Sequence, residues 1–86
     1  MERTSPVSLS GYPARLASSL QEAERHARTA LEQIQIARQS AVGQEYPSVM
    51  LATHNARTAT DDAGNALTTA GTLAMELQSA VYEATH

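Results

Sequence analysis

The chain has no cysteine, no tryptophan and no phenylalanine, and its only aromatic rings are Tyr12, Tyr46 and Tyr82. Without cysteine there are no disulfides and no thiolate metal sites, although that absence is neutral on compartment. Without large aromatics the core must be aliphatic and mostly alanine, which favours association with another chain, and a pocket-bearing enzyme becomes an unusual expectation. Every basic residue is an arginine, and the six are spread along the chain, near an acid or at an end, within a net charge of −3. No basic stripe results, so nucleic acid is disfavoured as a partner. No apolar run is long enough for a transmembrane span, and Met1–Ser10 lacks the apolar centre of a signal peptide. Glycine-rich phosphate loops are missing as well: Gly64 and Gly71 fall within a helical pattern, not between a strand and a helix. All-arginine, alanine-rich usage fits a GC-rich genome.

What is present is a long alternation of steps of three and four. From Val49 the series runs Ala52, Ala56, Ala59, Ala63, Ala66, Ala70, Leu73, Leu77, Ala80 and Ala84. This heptad spacing predicts a helix over about 48–84 whose partner helix comes very close. A second series, Leu16, Leu20, Ala23, Ala27, Ala30, Ile34, Ala37 and Ala41, predicts a first helix over about 13–42, with Pro13 in its first turn and Gly43 as the residue just past its end. Glu24, Arg28 and Glu32 follow one another at steps of four, as do Glu22 and His26, so local ion pairs support that helix. Residues 43–48, with Gly43 and Pro47, read as a short turn joining antiparallel neighbours. Residues 1–12, with Pro6 and Gly11, read as a flexible arm. Gly64 and Gly71 mark either a close approach by another backbone or local softness on an exposed face.

At 86 residues the chain is one small domain of all-α class: an antiparallel two-helix hairpin with alanine-rich heptad seams. Folding the series together about the turn sets Leu20 against Ala70, Leu16 against Leu73, Ile34 against Ala56 and Ala27 against Ala63, with Ala30 near Ala59. Large side chains then mostly face small ones, and Arg28 falls opposite Asp62. The second helix, at roughly 55 Å against roughly 45 Å for the first, overshoots by about two turns. The overshoot bares Leu77, Ala80 and Val81, and Leu9 and Tyr12 are placed to cover it. Leu67, Ala74 and Val81 form a further stripe, as does Leu31 on the first helix. These residues widen the apolar faces beyond what one partner helix covers. We therefore expect an interaction surface at Leu9, Tyr12, Leu31, Leu67, Ala74, Leu77 and Val81. The close-packed seam is expected at Ala27, Ala30, Ala56, Ala59, Ala63, Ala66 and Ala70. A homodimer completing a four-helix bundle, or a helical protein partner, is the natural outlet.

Chemistry is thin. His26, His54 and His86 are the obvious metal or catalytic candidates. Glu83 and His86 have the Glu-x-x-His spacing of di-iron bundles, but that motif needs a second copy and further inward carboxylates, and alanine fills the inward positions. Adjacent Asp61 and Asp62 point about 100° apart on a helix. No nucleophile–base–orienter set exists. No catalytic residue, metal site or cofactor is expected, with a metal-binding bundle as a distant third reading.

Two near-equal helices around a central turn, in an acidic, alanine-rich chain of this length, resemble the small helical-hairpin substrates of type VII secretion. The closing segment LAMELQSAVYEATH is similar to their tail, in which Tyr is followed four residues later by an acid. Tyr82 and Glu83 match in place, whereas the fourth residue after Tyr82 is His86. The family's Trp-x-Gly turn is replaced by Gly43-Gln44-Glu45-Tyr46-Pro47. The resemblance implies a secreted, non-enzymatic dimer exported without a cleavable signal peptide. The residues themselves point to a cytoplasmic interaction module.

Overall fold

The computed structural model describes residues 4–85, with side chains from residue 11 onward. Two helices account for nearly all of it: α1, Thr4–Val42, and α2, Tyr46–Thr85. They lie against each other along an elongated hairpin measuring 66 × 18 × 13 Å.

The connection is Gly43, Gln44 and Glu45, and its hydrogen bonds end α1 in a Schellman motif. The Glu45 amide donates to the Ser40 carbonyl at 2.8 Å, and the Gln44 amide donates to the Ala41 carbonyl at 3.1 Å. Gln44 carries the left-handed backbone, with φ of 60°, and no glycine among the described residues does. The residue just past the helix is thus Gln44 and not Gly43, which only caps the last turn. Helix α2 starts at once: the Glu45 carbonyl accepts from the Val49 amide at 3.1 Å. Pro47 stands second in that helix, where a missing N–H costs nothing, so α2 begins two residues before the expected Ser48.

At its other end α1 is longer than the sequence suggests. The expected flexible arm over residues 1–12 is helical from Thr4, and Pro13 lies inside the helix. Pro6 falls in the first turn, where it forfeits no bond. Pro13 removes the bond to the carbonyl four residues earlier, at a cost of about 3 kcal/mol. Against that cost, Tyr12 and Leu16 are half-buried, and Leu77 and Ala80 of α2 are half-buried at the same end. The Arg15 guanidinium sits 5.0 Å from the Tyr12 ring centre, a further contact within this segment. With 39 residues in α1 and 40 in α2, the expected two-turn overshoot does not occur.

The seam on α2 runs along the alanine series. Ala52, Ala56, Ala59, Ala63, Ala70 and Leu73 are buried, with Ala52 only 2% exposed. Val49, Ala66, Leu77 and Ala80 are half-buried, and Ala84 is exposed. On α1 the phase differs from expectation. Ala23, Ala30 and Ser40 are buried, and Ser19, His26, Gln33 and Ala37 are half-buried. The residues one step further round, Leu20, Ala27, Ile34 and Ala41, are exposed. Two physical reasons support this rotation. The three-residue turn fixes Ser40 at the seam through its carbonyl bond to Glu45. Stepping back from Ser40 by alternating threes and fours reaches Ala37, Gln33, Ala30, His26, Ala23 and Ser19. In addition, Leu20 facing α2 would hold the axes apart, whereas Ser19 in its place lets them close, and Gln33 in place of Ile34 keeps its polar end in reach of Asn55. The polar seam residues remain satisfied. The Asn55 amide donates to Gln33 Oε1 at 3.4 Å, and no buried side-chain nitrogen or oxygen among the described residues lacks a partner.

Two measurements check this geometry. Gln44→Gly relieves a left-handed glutamine and raises unfolding free energy by about 1 kcal/mol in urea titrations; a loss of stability would contradict the cap. Ser40→Leu and Ala63→Leu each wedge the axes apart and cost about 1–3 kcal/mol. An unchanged melting curve for Ser40→Leu would place Ser40 outside the seam.

Candidate interaction surface

Rotation of α1 gives the hairpin two unlike flanks. Leu20, Ala27, Ile34 and Ala41 stand beside the α1 seam on the same side as Thr53, Thr60, Leu67, Ala74 and Val81 stand beside the α2 seam. Leu31 and Met50 border them. Several of these side chains are large and open to solvent: Leu20 is 47% exposed, Ile34 46%, Leu31 56% and Leu67 54%. The opposite flank carries Arg15, Glu22, Thr29 and Ile36 of α1 with Asn55, Asp62, Thr69, Glu76 and Glu83 of α2, and apart from exposed Ile36 it is polar and mainly acidic.

Near the turn, the apolar flank is concave. A groove there is lined by Ile34, Ala37 and Ala41 from α1 and by Thr53, Ala56 and Thr60 from α2, with Arg38, Arg57 and Asp61 around it. The Thr60 hydroxyl donates to the Ala56 carbonyl of its own helix at 2.8 Å. Its polar demand is met internally, so covering this wall strands no donor.

The expected site residues divide as follows. Leu31, Leu67, Ala74 and Val81 are exposed, the first three on or beside the apolar flank and Val81 at its far end. Tyr12 and Leu77 are half-buried within the seam, and the Leu9 side chain lies outside the described residues. Of the expected seam, Ala30, Ala56, Ala59, Ala63 and Ala70 are buried and Ala66 is half-buried. Ala27 is the correction: it faces outward because His26 takes the seam position. The same rotation carries Leu20 and Ile34 away from Ala70 and Ala56. It also turns Arg28 away from Asp62, and Arg28 instead binds Glu24 at 2.7 Å. Gly64 and Gly71 have open space where a Cβ would stand, so no backbone within the hairpin approaches them.

Among the described residues no group of three His, Asp or Glu could hold a metal ion. Glu22 lies 3.3 Å from Arg25, an exposed pair worth about 0.2–0.5 kcal/mol to the helix, and 3.8 Å from the half-buried His26. The Glu83–His86 spacing ends outside the described residues. No described helix is long and apolar enough to cross a membrane.

A scan against protein-family models, a search of curated proteins and a search of solved structures each returned no match. The functional reading therefore rests on the geometry of the hairpin.

Proposed function

We propose that this chain is a non-enzymatic helical interaction module that works by docking its apolar flank against further helices. The observation that supports this is the mismatch between the two faces of α1. From Ser19 to Ser40 the seam holds alanine, serine, histidine and glutamine, while Leu20, Leu31 and Ile34 remain outside. Among the described residues the buried apolar ones are seven alanines and Leu73, and an alanine brings little more than one methyl group, about 0.8 kcal/mol, into a core. A single alanine seam is a weak basis for a domain of this size. Burying the flank supplies what the seam does not, and a bundle of four helices is the simplest architecture that does so.

A second reading, a secreted hairpin of the type VII kind, draws support from the near-equal helix lengths of 39 and 40 residues. It differs in compartment: the protein would accumulate in culture medium, whereas the interaction module stays within the cell. Fractionation of cells and medium separates the two.

For the docking reading, the melting temperature of the native chain rises with protein concentration, as expected when folding is linked to association. Leu20→Gln combined with Ile34→Gln lowers it by about 5 °C or more and removes the concentration dependence. A concentration-independent, cooperative melt that the double substitution leaves unchanged would contradict the proposal.

A further inference from the structure

Resting on the docking reading, we infer that the flank's partner is a second copy of this chain, turned end for end about a twofold axis beside Leu31. The sequence of the flank is self-complementary about that point. Leu31 has Glu24 seven residues before it and Arg38 seven residues after it, all three on one stripe of α1. An end-for-end copy brings Leu31 onto Leu31, and each Glu24 opposite Arg38 of the second copy. Arg38 has no ion pair within its own chain among the described residues, and Glu24 is held only by the exposed Arg28.

The neighbouring stripe obeys the same axis. Leu20 falls opposite Ala41 of the second copy, and Ile34 falls opposite Ala27, so each large side chain meets a small one. On α2 the corresponding level lies near Thr58, which brings exposed Leu67 over exposed Met50 of the second copy.

The end-for-end axis also sets exposed Arg57 beside Arg57 of the second copy, one like-charge contact against two Glu24–Arg38 pairs. The alternative twofold, with both turns at one end, sets Leu31 against Arg57 and Arg38 against Met50 and makes no opposite-charge pair. Charge pairing at an interface selects register and orientation, and on this count the end-for-end arrangement is favoured.

The area is adequate. The copies overlap from turn to turn over about 22 residues of α1, roughly 33 Å at 1.5 Å per residue. With the 18 Å width of the hairpin, this gives roughly 600 Å² per copy and 1,200 Å² in total, the lower end of specific interfaces. Val81 lies beyond the overlap and stays uncovered.

Cross-linking and charge exchange test the arrangement in the full chain, which has no cysteine of its own. Leu31→Cys is expected to give a disulfide-linked dimer on mild oxidation, and Val81→Cys is not. Glu24→Arg alone and Arg38→Glu alone each raise the dimer dissociation constant by about tenfold or more, through like charges placed opposite each other. An equimolar mixture of the two variants restores it, because the substituted positions then face each other with opposite sign. Val81→Gln leaves association unchanged. A dimer that fails to cross-link through Leu31→Cys, or a mixture no tighter than either variant, overturns this axis and leaves the docking reading standing. A native chain that is monomeric until a different helical protein is added overturns the second copy as occupant. A folded monomer that binds nothing overturns both.

Discussion

The close approach of two helix axes is the constraint from which the other features follow. Alanine along α2 and alanine or serine at the buried positions of α1 admit a short separation through the middle of the hairpin. Ser40 is the tightest link between this seam and the turn. Its side chain is buried, and its carbonyl accepts the Glu45 amide. The phase of α1 is therefore set at the turn and carried back along the helix. Once that phase is fixed, Leu20 and Ile34 cannot enter the seam, and together with Leu31 they are left on one flank of α1.

Small residues make the hairpin narrow and also leave it poorly provided with buried apolar area. A fold that leaves Leu20, Leu31, Ile34 and Leu67 outside the internal contact has much of its hydrophobic driving force in reserve for an external one. The same logic explains the polarity of the seam. His26 and Gln33 are half-buried and weaken the internal contact, yet Gln33 meets Asn55 across it. That bond favours one register of the two helices over sliding by a turn. In this account, internal packing sets alignment and external packing sets stability.

Much of this was legible in the residues. The α2 series Ala52–Leu73 contains no competing stripe of equal strength, so its buried face follows from spacing alone. On α1 two stripes compete, since Leu20, Ala27, Ile34 and Ala41 form a better apolar series than Ser19, His26, Gln33 and Ser40. Hydrophobic periodicity favours the first, and the turn together with steric closeness selects the second. Nothing in the periodicity of α1 alone reports the geometry of Gln44, because left-handed backbone is a glycine habit and Gly43 stood next to it. Pro13 misled in a similar way. Proline punctuates helices strongly, but Tyr12 and Leu16 on either side of it have a face of α2 to cover.

Sedimentation equilibrium of the native chain tests the central claim most directly, because it asks whether the flank is covered by a second copy. The account predicts a mass near twice the 9.2 kDa of one chain, with dilution causing dissociation and loss of helical signal together. A species of 9.2 kDa that stays cooperatively folded at every concentration would contradict it.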